Sequence, residues 1–189
     1  ELFRGMNLLA SSGQLRASFL RCALVCVPVI VLLGFLSGKV AQSGPDNPWF
    51  AALTKPAAYP PPALFGIVWT ILYVLMGIAL ALVLSARGAR GRGAAAGVFA
   101  VQFALNLAWS PVFFGMHLLT ASLIVIGLLD VLVIVTIALF GKVRPVAAML
   151  LIPYLAWVLF ATYLNFAFWQ ANPTMDGVDG GGAVVRYEI

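Results

Sequence analysis

The sequence predicts an all-α membrane protein: a bundle of five transmembrane helices, N-terminus in the cytoplasm, with a long Pro-rich loop between helices one and two acting as a lid. Three observations predict it. No charged residue lies between Arg21 and Lys39, between Lys55 and Arg87, or between Arg144 and Asp176. Asp130 is the only charge between Arg92 and Lys142. The whole chain is 63% hydrophobic and 9% charged, where a soluble domain carries roughly 25% charged residues. In lipid, such runs satisfy their backbone polar groups only as helices, at about 20 residues per crossing. A length of 189 residues fits one bundle and no second domain.

Residues 1–16 form an N-terminal segment, in which Glu1–Gly5, ahead of Met6, read as an added piece. Helix one is expected over Ala17–Gly38. It follows Arg16 and Arg21, as a signal peptide would, but no small-x-small cleavage pattern stands out near Ser37 to Gln42, so it is kept as a membrane span. Its Cys22 and Cys26 lie four apart on one helix, a poor placement for a disulfide, and are read as small apolar packing residues. The loop Lys39–Pro62 holds Pro45, Pro48, Pro56 and the run Pro60–Pro62. It is long for a bundle connection and stiff, which suits a lid. Helix two is expected over Ala63–Ala86 and helix three over Ala94–Gly115, with Pro111 kinking its last turn. Gly115, Met116 and His117 make a tight turn. Helix four covers Leu118–Phe140 and helix five Pro145–Trp169, stopped by Asn172-Pro173. The membrane domain therefore spans 17–173, and 174–189 is expected to be a flexible Gly-rich tail.

The net charge of +5 does not point to nucleic acid, because the basic residues flank apolar runs. They set topology instead. The N-terminal side carries Arg4, Arg16, Arg21, Arg87, Arg90, Arg92, Lys142 and Arg144; the other side carries Lys39, Lys55 and Arg186. Eight against three places the N-terminus in the cytoplasm. The Ala-, Gly- and Arg-rich composition suggests a bacterial cell membrane.

The helix faces are chemically uneven. Phe65, Trp69 and Tyr73 stack at four-residue spacing on helix two. On helix three, Gln102, Asn106, Trp109 and Phe113 fall within about 60° of one another, while Gly93, Ala96, Gly97, Ala100, Ala104 and Ala108 take the opposite side. The small side lets another helix approach closely, inside the bundle or in a homodimer. The amides should face the bundle interior, because lipid offers them no partner. On helix five, Pro153, Tyr154, Trp157, Ala161, Asn165 and Phe168 share a broad face. Two readings stand: an aromatic pocket with a few hydrogen-bonding groups, suited to a flat apolar ligand, or rings and amides that merely pack the core. Trp49, Tyr59 and Trp169 also suit interfacial anchoring. Asp130 is read as hydrogen-bonded to a hydroxyl or amide of another helix, with proton or ligand coupling and an oligomer contact as alternatives. His117 is read as a solvated turn residue, with axial ligation of haem iron as the sharper idea. No metal cluster, nucleophile–base pair or nucleotide motif is present.

Three groups of motifs make the pattern specific. The first is Trp49-Phe-Ala-Ala-Leu-Thr-Lys55-Pro56, then Pro60–Pro62, then Phe65-x-x-x-Trp69-Thr-x-x-Tyr73-x-x-Met76-Gly77. The second is Gln102-x-x-x-Asn106-x-x-Trp109-Ser-Pro111-x-Phe113-Phe114-Gly115. The third is Pro153-Tyr154-x-x-Trp157 with Ala161-Thr162-x-Leu164-Asn165. In this order and spacing the chain resembles the TspO/MBR family of tryptophan-rich sensory proteins, bacterial relatives of the mitochondrial translocator protein (peripheral benzodiazepine receptor), over about Ala17–Pro173. The resemblance implies a five-helix bundle, a homodimer, and a pocket beneath the first loop. It implies ligands of the porphyrin or haem type, sterols, and isoquinoline carboxamides or benzodiazepines, with no cofactor required. Trp69, Asn106, Trp157 and Ala161 match positions around that pocket, Phe65, Tyr73, Trp109 and Phe113 its lining, and Trp49 with the Pro60–Pro62 run, Pro61 at its centre, its cover; Asn165 is taken with them. The chain departs from the family where relatives carry loop aromatics, having Ala57, Ala58 and Leu64. No base follows Tyr163 closely, so the sterol-recognition pattern is incomplete. The expected role is a membrane sensor or transporter of tetrapyrrole-type ligands. The alternatives are tryptophan-dependent porphyrin breakdown and proton-coupled carriage through Asp130.

Overall fold

The computed structural model describes residues 12–178. Its elements are α1 (Ser12–Val40), the short α2 (Pro48–Ala52), α3 (Pro62–Ser85), α4 (Arg92–Ser110) continued by a π-helical turn (Pro111–Gly115), α5 (Leu119–Val143) and α6 (Pro145–Ala171). No strand occurs among the described residues. Five segments are long and apolar enough to cross a membrane: α1, α3, α4 with its π turn, α5 and α6. The shortest have 24 residues, about 36 Å at a rise of 1.5 Å per residue, enough for a hydrocarbon core of about 30 Å. The expected five-helix membrane bundle is therefore the observed one. Packing closes the bundle into a ring in the order α1, α3, α6, α5, α4, with α4 back against α1.

Local chemistry sets the element ends. Pro48, Pro62 and Pro145 begin α2, α3 and α6, where a missing N–H costs nothing and φ is preset. The Asn47 side chain caps α2 by accepting from the Phe50 N–H at 3.0 Å. Pro111 does more than kink the third span. The helix widens there into a π turn, closed by the Met116 N–H donating to the Pro111 carbonyl at 2.8 Å. His117 follows with φ +60° and turns the chain into α5.

Several boundaries differ from expectation. The first span starts by Ser12 and continues to Val40, so 12–16 are helical. The long connection contains α2, whose apolar Trp49 and Phe50 are buried; an isolated five-residue helix has too few turns to stand on its own, and burial holds it. The segment expected to be a free tail is tied down at its start. The Asp176 carboxylate accepts from the Leu119 N–H at 2.7 Å, from the Thr120 N–H and from the Thr120 hydroxyl. It thereby caps α5 with a negative charge at the positive end of the helix dipole. The remainder of that tail, and Glu1–Gly5, lie outside the described residues.

Close helix approach uses glycines other than those the small-residue pattern suggested. A Cβ on Gly77 of α3 would stand 2.6 Å from the Val27 Cα of α1, and one on Gly34 of α1 would enter the Tyr73 ring at 2.2 Å. Gly93 and Gly97 have nothing within 4 Å of such a Cβ, and with Ala100 and Ala104 they face outward. Their stripe does not pack inside this bundle. Cys22 and Cys26 are free thiols, half-buried and buried, on α1.

Van der Waals contact is the main glue between helices in lipid. Gly77→Val, which must displace α1 backbone, is expected to destabilise the bundle by about 1–3 kcal/mol. Gly127→Val, with open space around it, should leave thermal unfolding in detergent unchanged; equal melting of the two variants would contradict the close α1–α3 seam.

Candidate functional site

All five spans line one cavity of about 700 Å³, open at one edge where Phe35, Pro62 and Gly66 are exposed. α3 supplies Phe65, Trp69 and Tyr73. α4 and its π turn supply Asn106, Trp109 and Phe113, and α6 supplies Trp157, Ala161 and Asn165. These three sets, each legible as a helix face, meet on a common wall. Two further spans contribute without a sequence signal: α1 through Gly34, Phe35 and Gly38, and α5 through Ile126 and Leu129. Phe50 and Tyr59 from the connection complete the lining, and Lys39, Gln42, Ser43 and Asp46 form a polar edge.

A directional hydrogen-bond chain runs behind the rings. The Tyr73 hydroxyl donates to Asn106 Oδ1 at 3.2 Å. Asn106 Nδ2 donates to the Tyr154 oxygen at 3.0 Å, and the Tyr154 hydroxyl donates to Gln102 Oε1 at 2.9 Å. Every member is buried. The chain ties α3, α4 and α6 together through groups that lipid would leave unsatisfied. A second pair does the same nearer the loop: Trp109 Nε1 donates to Asn165 Oδ1 at 3.0 Å, and Asn165 Nδ2 donates to the Leu119 carbonyl at 3.2 Å. Asn165 thus spends its amide on holding the Trp109 ring.

The rings follow this frame. Trp69 stacks on Tyr73 with centroids 5.2 Å apart, and Trp109 stacks on Phe113 at 5.0 Å. Tyr59 stacks on Phe65 at 5.5 Å, and Trp157 meets Phe65 edge-on at 5.7 Å. Tyr59 is therefore part of the wall rather than an interfacial anchor, and burial raises the pKa of its hydroxyl, which stays neutral. Trp169, exposed and bonded to Thr120, fits the anchor reading.

Two residues expected at the pocket stand elsewhere. Trp49 is 1% exposed and does not line the cavity. It lies one layer out, edge-on to Phe113 at 5.6 Å, stacked on His117 at 4.7 Å, its indole N–H donating to the Met175 carbonyl. Pro61 is exposed at the N-cap of α3, and of the Pro60–Pro62 run only Pro62 reaches the lining. His117 is not a solvated turn residue: it is half-buried against Trp49 and away from the cavity. Asp130 is buried, accepts from the Thr162 hydroxyl at 2.8 Å, and is not in the cavity lining. It is paired across α5 and α6, as expected. No group of three His, Cys, Asp or Glu suited to a metal occurs among the described residues.

The connection is pinned to the bundle by side chain to backbone bonds that sequence reading missed. Asn172 Oδ1 accepts from the Thr54 N–H at 2.7 Å, and its Nδ2 donates to the Thr54 carbonyl at 3.1 Å. Asn47 Nδ2 donates to the Phe114 carbonyl at 3.1 Å. Lys55 Nζ donates to the carbonyls of Phe50 and Leu53 and lies 4.3 Å from the Phe50 ring centroid. Partial desolvation of that ammonium lowers its pKa. Between these pins, Phe50 packs on Tyr59, Phe113, Phe114 and Phe168.

The model of the TspO/MBR family matches residues 25–170 of the chain. The chain is 42% identical over 151 residues to the tryptophan-rich protein TspO of Chlorobaculum tepidum, covering 79% of this chain and 94% of that one. It is 38% identical over 148 residues to the tryptophan-rich sensory protein of Cereibacter sphaeroides, covering 75% and 91%. It is 37% identical over 142 residues to the human translocator protein, covering 74% and 84%.

Asn172→Ala removes both bonds to Thr54 and is expected to cost about 1–3 kcal/mol. The cost should appear as faster proteolysis within 41–61 while the spans stay intact. An unchanged cleavage rate would show that aromatic packing alone holds the connection.

Proposed function

Because the chain belongs to the TspO/MBR family, we propose that its aromatic cavity binds a flat, largely apolar ligand of the tetrapyrrole type, and that the protein serves as a membrane sensor or transporter for it. The observation that carries this reading is the cavity itself. Its volume of about 700 Å³ lies within the roughly 300–1,000 Å³ of small-molecule sites, and its wall is apolar with a few fixed polar groups, as such sites are. Rings of Trp69 and Trp157 offer stacking faces, and Asn106, held on both sides of its amide, orients a polar edge of the ligand. Isoquinoline carboxamides and benzodiazepines share the same flat apolar character. The Pro-rich 41–61 connection covers one end of the cavity through Phe50 and Tyr59. The basic-residue asymmetry supports a cytoplasmic N-terminus, and the Ala-, Gly- and Arg-rich composition supports a bacterial cell membrane.

Non-covalent binding is preferred to the two alternatives on specific grounds. Among the described residues, neither serine of the cavity lining, Ser43 or Ser110, is hydrogen-bonded to an acidic or basic side chain, which leaves pigment breakdown resting on the tryptophans. Asp130 lies outside the lining and is bonded to Thr162, which disfavours its direct coupling to a bound ligand.

The outward small-residue stripe on α4, from Gly93 and Gly97 through Ala100 and Ala104 to half-buried Ala108, supports a homodimer through this helix. Gly97→Leu should shift cross-linked dimer to monomer in lipid; an unchanged dimer fraction would remove this arrangement.

Titration of the purified protein with protoporphyrin IX, followed by the ligand's absorption, tests the binding reading. Trp69→Leu should raise Kd about tenfold, roughly 1.4 kcal/mol of lost stacking, while Trp169→Leu on the exposed face leaves it unchanged. Identical affinities for both variants would count against this cavity.

A further inference from the structure

We propose that the groove between α3 and α6 is a lateral portal, through which the cavity's ligand exchanges with the bilayer, and that Trp157 is its door. The inference rests on the ligand-binding reading above and adds a route and a gate to it.

A second hollow, of about 400 Å³, lies between these helices. Val68, Ile71 and Leu72 of α3 form one wall, and Pro153, Ala156 and Trp157 of α6 form the other. Ile71, Pro153 and Ala156 are exposed on spans long enough to cross a membrane, so in the bilayer acyl chains border the groove. Trp157 belongs to the lining of this groove and to that of the larger cavity. At this point one indole ring separates lipid from the aromatic wall.

That ring is held differently from three of the other four tryptophans. Trp49, Trp109 and Trp169 each donate their indole N–H, to Met175, Asn165 and Thr120 respectively. The Trp157 N–H is buried without a hydrogen-bond partner. Turning the ring breaks no hydrogen bond, and any acceptor met on the way is a gain. Its aromatic neighbours Phe65 and Phe160 touch it edge-on or tilted, at 5.7 and 5.5 Å, contacts that tolerate reorientation. One turn before it, Pro153 interrupts the α6 hydrogen-bond ladder, which lowers the cost of bending the helix at the door. The occupant follows from the setting. A flat apolar ligand partitions into the acyl region, and the groove gives it an apolar path, whereas the edge at Lys39 and Asp46 requires crossing a charged rim.

The test uses the intact protein in nanodiscs and protoporphyrin IX delivered from lipid vesicles, with association and dissociation followed by stopped flow. Ala156→Phe and Ile71→Phe fill the groove from opposite walls without touching the cavity lining. Each should slow both association and dissociation by about tenfold and leave the equilibrium Kd within about twofold. Ile134→Phe, exposed on α5, adds the same bulk elsewhere and should change neither rate. If one plug prevents folding, the other gives the answer. Unchanged rates in the folded groove variants, or a weakened Kd with unchanged dissociation, overturn the portal. Absence of saturable binding by the unaltered protein instead overturns the cavity reading, and the portal with it.

Discussion

Lipid cannot hydrogen-bond an amide or a phenol, so most interior polar groups of this bundle find partners within it, Gln102 Nε2 and the Trp157 N–H being exceptions. The chain Tyr73, Asn106, Tyr154, Gln102 is the answer the sequence encodes. It crosses three spans at one depth and fixes how α3, α4 and α6 are rotated about their axes. Once those rotations are set, the rings of the same faces must converge. Trp69 stacks on Tyr73, and Tyr73 is itself held by Asn106. The aromatic wall is thus a consequence of polar satisfaction as much as of ring packing. A bundle held by apolar contacts alone would have no comparable constraint on rotation.

The same economy governs the cover. The connection between α1 and α3 has little regular structure, and its backbone groups need partners. Asn172 and Asn47 provide them from outside the segment, while Lys55 folds back on the carbonyls of Phe50 and Leu53. These bonds hold Phe50 within a cluster of aromatic rings at the end of the cavity. Trp49 anchors that cluster to the segment after α6 through Met175, and Asp176 ties the same segment to the start of α5. Cover, π turn and the end of the chain's described part form one structural unit. Loosening any one of them reaches the cavity through Phe50 and Phe113.

Much of this was legible in the sequence, for identifiable reasons. Charge-free runs announce spans directly, since lipid penalises each charge. Ring and amide spacing on α3, α4 and α6 exposed their inner faces, because the 3.6-residue period converts spacing into direction. What stayed hidden depends on partners rather than on periodicity. Gly34 and Gly77 look like any other span glycines until Tyr73 and Val27 are seen against them. Gly93 and Gly97 make the more conspicuous pattern and face outward. The contribution of α5 is Ile126 and Leu129, chemically indistinct from its lipid face. Trp49 and Pro61 carry recognisable motifs, yet one is buried a layer behind the cavity and the other is exposed at its margin. A motif marks a position in the chain; only the fold says which atoms face inward.

The five tryptophans offer the most direct measurement, because the structure divides them. Trp69, Trp109 and Trp157 line the cavity, whereas Trp49 and Trp169 do not. Fluorine NMR of the protein labelled with fluorotryptophan, with each resonance assigned by substitution, reads all five at once as protoporphyrin IX is added. A ligand in the convergent aromatic wall shifts the three lining resonances strongly and saturably, and leaves Trp169 in place. Saturable shifts confined to Trp169 and Trp49, with the lining resonances still, would mean that the ligand sits elsewhere.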